Sequence, residues 1–108
     1  MIAVIFELWP EPTRRQDYFG LAAQLRSELE KIDGFISVER FASLTEEEKF
    51  LSLSFWRDEE AVRAWRTELD HRKAQVEGRA GIFKDYRLRV ASVLRDYRLA
   101  DRSQAPKD

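Results

Sequence analysis

The chain has 108 residues, with 19 basic, 20 acidic, one histidine and no cysteine. That length fits one compact domain and excludes a large two-domain enzyme. A net charge of -1 argues against non-specific nucleic-acid binding, which needs a positive field to displace phosphate counterions. Without cysteine there are no disulfides, thiolate metal sites or cysteine nucleophiles, and a cytoplasmic home is the compatible expectation. The apolar run Ile2 to Phe6 is far too short to span a bilayer, so no membrane association is expected.

Ile2 to Trp9 reads as a strand with apolar residues on both faces, broken only by Glu7. A strand covered on two sides has this pattern. Pro10 and Pro12 stop it, since proline cannot donate to a sheet ladder. Thr13 to Ile32 reads as a helix with Tyr18, Ala22, Leu25, Leu29 and Ile32 as its buried stripe. Thr13 and Gln16 suit a capping box at its start, and Gly34 suits the left-handed residue that follows a helix end.

Phe35 to Phe41 and Lys49 to Trp56 read as two antiparallel strands joined by a short polar turn. Leu51, Leu53 and Phe55 share one face of the second. Ser52 and Ser54 share the other with Phe50 and Trp56, and small hydroxyls between aromatics leave room for something to bind. Asp58 is the expected N-cap of a second helix over Asp58 to Leu69, stabilised by Glu59 and Glu60 at its positive end. Ala61, Val62, Trp65 and Leu69 form its stripe, and Asp70 to Gly78 reads as a separate helical piece. Lys84 to Tyr97 reads as a final strand more than twice the usual ~5–6 residues long. Residues 1–98 thus form one domain, and 99–108 a polar, frayed tail.

Strand, helix, strand, strand, helix, strand is the split βαβ order, so the expected fold class is α+β, ferredoxin-like, with a four-stranded antiparallel sheet. Both helices would cover one sheet face. The apolar second face then calls for a cover, and a second copy of the chain is the economical one.

Chemistry-bearing residues are few. A single histidine, His71, excludes a two-histidine metal site within one chain, and there is no glycine-rich phosphate loop. The constellation to weigh is Trp65, His71 and Tyr86 beside the face carrying Ser52, Ser54 and Trp56. A helix break near Asp70 would bring Trp65 and His71 together toward the sheet, where His71 can accept a proton near neutral pH. The plainer alternative is a histidine closing a helix end and a tryptophan that only packs. Glu7 is either a pocket carboxylate with a raised pKa or a charge at a strand end in solvent. Glu39 and Arg40 suit a cross-strand ion pair better than a substrate clamp, and Arg87, Arg89 and Arg95 suit a solvated or intersubunit face better than an anion pocket. The RNA-recognition domain shares the element order, but Lys49 to Phe55 lacks its glycine and second stacking aromatic.

Several stretches carry a family resemblance. They are Ile32 to Phe41, Leu51 to Val62, Trp65 with His71 to Gln75 and Gly78-Arg79, and Phe83 to Tyr97. With them the chain resembles the antibiotic biosynthesis monooxygenase (ABM) domain family of dimeric α/β barrels. The resemblance implies a homodimer in which each last strand reaches across its neighbour. It implies a small-molecule monooxygenase, since members oxidise polycyclic quinols without metal or flavin, or degrade heme. Trp65 resembles the tryptophan of the second helix that matters in both groups, and His71 stands near the polar residue of the quinol oxidisers. Heme degraders place their histidine further from that tryptophan and carry an asparagine on the first strand, where this chain has Glu7 or Leu8. The resemblance therefore implies no cofactor, with heme disfavoured, and a small aromatic substrate. The expected catalytic set is His71, Trp65 and Tyr86, with Glu7, Ser52, Ser54 and Trp56 lining the pocket and no metal site. A non-enzymatic dimer that binds a ligand or assists a biosynthetic enzyme is the competing class.

Overall fold

In the computed structural model the chain is described over residues 1–73 and 81–106, with backbone only at 69–73. The elements are β1 (Ile2–Pro10), a 3-10 turn (Pro12–Arg14), α1 (Arg15–Leu29), β2 (Phe35–Ala42), β3 (Phe50–Trp56), α2 (Glu59–Lys73) and β4 (Phe83–Ser92). The strands form one antiparallel sheet in the order β2-β3-β1-β4, the expected ferredoxin-like α+β arrangement.

Three local expectations change. The Thr13–Gln16 capping box does not form, because Pro12 opens a 3-10 turn and puts Thr13 inside it; α1 starts without a side-chain cap. The helical backbone of α2 runs unbroken through Asp70 to Lys73, so no break falls near Asp70; residues 74–78 of the expected second piece lie outside the described residues. β4 stops at Ser92 instead of Tyr97; beyond it only Val93 N–H reaches back, to the Met1 carbonyl at 3.0 Å. Past β4 the chain makes local hydrogen bonds within itself, Arg98 N–H donating to the Asp101 carbonyl at 2.8 Å and Asp96 N–H to Gln104 Oε1 at 2.9 Å.

Other signals act as read. Asp58 Oδ1 accepts the Ala61 N–H at 2.9 Å and caps α2. Gly34 takes φ +92° between α1 and β2, and a Cβ there would lie 2.7 Å from the Cβ of Ala61. This is where glycine is required, both for conformation and for close helix approach.

Antiparallel partners share a face, so the register gives the sheet's helix side row by row. Ala42, Phe50, Leu8 and Tyr86 form one row; Arg40, Ser52, Phe6 and Leu88 the next. Val38, Ser54, Val4 and Val90 follow. The core sits on this side in two separate clusters. Leu8, Tyr18, Phe50 and Ile82 form the first, and Leu29, Trp56, Ala61 and Val62 the second. The opposite sheet face carries Ala3, Ile5, Glu7 and Trp9 from β1, and Leu51, Leu53 and Phe55 from β3.

Candidate functional site between the helices and the sheet

The two clusters leave a band between them on the helix side, spanned by the two central rows. Its β1 floor is Val4 and Phe6, both half-buried. On β4 the same band shows Tyr86, Leu88 and Val90 at 59%, 52% and 42% exposure, high values for residues on the covered face of a sheet. Tyr86 leans on Phe6 at 5.5 Å and on Phe83 at 6.1 Å between ring centroids, which fixes its ring and leaves its hydroxyl toward solvent. Trp65 reaches the band from α2, half-buried against the second cluster.

The candidate residues do not all meet. Tyr86, Ser52 and Trp65 belong to elements that border the band. Ser54 and Trp56 lie on the same side but are buried, and Trp56 Nε1 donates to Ser54 Oγ at 2.9 Å. Their polar atoms satisfy each other inside the core. His71 lies on the α2 backbone, but its side chain falls outside the described residues. On a continuous helix, six residues from Trp65 to His71 correspond to roughly 120° of rotation away from a shared direction.

Glu7 stands apart. It points to the opposite sheet face, where Lys49 Nζ pairs with it at 2.8 Å and Arg89 pairs with it from the other side. Lys49 first, and then Arg89, hold its carboxyl below the ordinary range, so the raised pKa expected of a pocket carboxylate is not found. Nor does Glu7 mark a strand end, because β1 is an interior strand of the sheet. Lys49 also lies 5.2 Å from the Trp9 ring, and Trp9 Nε1 donates to Glu46 Oε1 at 3.0 Å. The cluster borders an open concavity of about 260 Å3 lined in part by Ile5, Phe41 and Leu51, on the face away from the helices.

Tyr18 and Arg40 come together on the helix side. Tyr18 is buried among Phe19, Phe50 and Phe83, and burial raises its phenol pKa. The Arg40 guanidinium faces that hydroxyl and acts in the opposite sense. Among the described residues neither Glu39 nor Arg40 makes the expected cross-strand ion pair: Glu39 lies opposite Leu53 and Arg40 opposite Ser52.

β1 presents the apolar Ile2, Val4, Phe6 and Leu8 to the helices. Among the described residues no group of three or more His, Cys, Asp or Glu side chains is placed to hold a metal ion. No helix among them is long and apolar enough to cross a membrane.

Comparison with known proteins adds the family. The profile of the antibiotic biosynthesis monooxygenase domain matches residues 1–77. A curated relative from Pyricularia oryzae, named jasmonate monooxygenase ABM, is 50% identical over 93 residues, which is 86% of this chain. The chain spans 43% of that relative's length. Among solved structures, SnoaB from Streptomyces nogalater, a cofactor-independent oxygenase, superposes with a TM-score of 0.72 at 9% identity, covering 88% of this chain and 94% of its own. The heme degrader MhuD from Mycobacterium tuberculosis, with two hemes in its active site, gives 0.64 at 17% identity, covering 89% and 98%. At such identities these two likenesses speak for the fold alone.

Proposed function

The chain belongs to the antibiotic biosynthesis monooxygenase family, and from that premise we propose that it oxidises a small aromatic, quinol-like substrate with molecular oxygen and without a metal or flavin. The observation that carries this reading is the half-open apolar band between the two core clusters, where Tyr86, Leu88 and Val90 stay accessible on the helix side of the sheet. A flat ring can lie there against Phe6, with Trp65 as the wall from α2.

In this mechanism a base removes the acidic proton of the substrate. The electron-rich anion passes one electron to oxygen. The substrate radical and superoxide combine at a ring carbon, and the peroxide takes up a proton. Loss of water then leaves a carbonyl, so one oxygen atom is retained and the other departs as water. Tyr86 is the hydroxyl that orients the substrate, Ser52 a hydrogen-bonding group on the floor and Trp65 the packing wall; His71, the one histidine, is proposed as the base from its chemistry, its side chain lying outside the described residues. The fungal relative is named for jasmonate, so a jasmonate-like ring compound belongs in the substrate panel beside the quinols.

The functional unit in this reading is a homodimer that closes the uncovered sheet face. Support comes from the apolar Ile5, Leu51, Leu53 and Phe55 on that face. It also comes from Leu94 and Tyr97, which extend past β4 at 85% and 42% exposure.

Oxygen uptake with a dihydroxyanthracene-type substrate tests the proposal. Wild type is expected to consume oxygen well above buffer. His71→Ala should lose at least ~100-fold, the usual contribution of a positioned base. If a broad quinol and jasmonate panel gives no uptake with folded protein, the chain is a non-enzymatic ligand-binding dimer instead.

A further inference from the structure

Arg40 is the polar feature of the helix side that the proposed chemistry does not use. It lies opposite Ser52 in the β2–β3 ladder, so both side chains leave the sheet toward the helices. Val38, two residues before it on the same face, packs into the second core cluster, which confirms the direction. Across the sheet the row continues from Ser52 to Phe6 and Leu88. The guanidinium stands exposed at the outer end of an apolar row, with a small hydroxyl beside it.

Several arginines are held by acids. Arg15 pairs with Glu48, Arg57 with Asp33 and Asp58, and Arg89 with Glu7. Among the described residues, no carboxylate pairs with Arg40; what faces it is the hydroxyl of Tyr18, itself 4% exposed and fixed by Phe50 and Phe83 at 6.1 and 5.9 Å. A phenol can donate to an anion while Arg40 neutralises it, and Ser52 can donate from the adjacent strand.

We propose that Arg40, with the hydroxyls of Tyr18 and Ser52, forms an anion subsite, and that the substrate is a compact apolar molecule bearing one carboxylate. The carboxylate sits at the β2 end of the row, and the apolar body extends over Phe6 toward Leu88. The subsite rests on the reading of this band as the substrate site, and it sets which ligands bind and in which direction they lie. Arg40 is here a specificity-determining residue and takes no part in the oxygen chemistry.

Equilibrium dialysis of the full chain against 2-naphthoate and its methyl ester tests the subsite, since the pair differs in the charge. Wild type is expected to bind the acid at least tenfold more tightly than the ester. Arg40→Gln should remove that preference while leaving ester affinity within twofold, and Arg40→Lys should restore part of it, because a lysine keeps the charge without the fork. The exposed position of Arg40 lets the variants fold, which their unchanged thermal melts would establish. Equal binding of acid and ester by wild type, or an acid preference that survives Arg40→Gln, overturns the subsite. Either result leaves the oxygenase reading intact if quinol-dependent oxygen uptake persists. Failure of folded wild type to bind both probes overturns the subsite and the substrate band together.

Discussion

Ser54 and Trp56 leave β3 on the same side, and the indole N–H of a residue 1% exposed has the Ser54 hydroxyl as its partner. Ser54→Ala strands that donor, at a cost of about 1–3 kcal/mol, whereas Trp56→Phe added to it removes the donor as well. Urea denaturation of the double-mutant cycle should therefore show the combined loss falling short of the sum of the single losses. Glu7 makes a pH-dependent contribution. Its folded pKa lies below its ordinary value because Lys49 and Arg89 favour the carboxylate. The stabilisation is fully present above the ordinary carboxylate value and fades as pH falls through the depressed folded one. Glu7→Gln should lower the melting temperature at pH 7, and the gap to wild type should narrow toward pH 3. A gap that is constant with pH would contradict the ion-pair account.

At the scale of elements, the junction from α1 to β2 is the most constrained. Gly34→Ala imposes a Cβ at φ +92° and pushes it against Ala61 on α2. Strain and overpacking together predict a loss of about 2–4 kcal/mol, read from the shift in urea midpoint. That junction was legible in the sequence because Asp33-Gly34 follows a helical stripe, just as Asp58 before two acids announced the start of α2. The alternation of β3 likewise gave the correct faces for Ser52 and Ser54. The start of α1 was not legible, because Thr13 and Gln16 have the right spacing for a cap but Pro12 shifts the first turn into 3-10 geometry. The end of β4 was missed for a different reason. Residues 93–97 keep strand-like alternation, yet the partner strand β1 ends at Ile2, so nearly nothing remains to pair with. As for the site, spacing located Trp65 and the serine face. It could not tell that Glu7 would be neutralised by Lys49 and Arg89, or that Arg40 would meet Tyr18 on the helix side, because both depend on how distant segments are brought together.

For the molecule as a whole, the uncovered sheet face makes the assembly the decisive unknown. Leu53 sits centrally on that face, away from the helices and opposite Ile5 and Glu39. Leu53→Arg should convert a sedimenting dimer into a monomer at micromolar concentration while retaining the circular dichroism of the fold. A wild-type chain that sediments as a monomer there would contradict the barrel.

The division of the core into two clusters has a consequence for how the protein holds itself together. α1 runs through both clusters, with Tyr18 in the first and Leu29 in the second beside Ala61 and Val62, so helix and sheet together join the two ends. A ring bound in the band would touch both ends at once and act as a keystone, supplying interior contacts that the empty fold lacks. Occupancy would raise stability through the binding free energy and would also make unfolding more nearly all-or-none. The gap that admits a substrate is thus also the place where a ligand can stabilise the fold most directly.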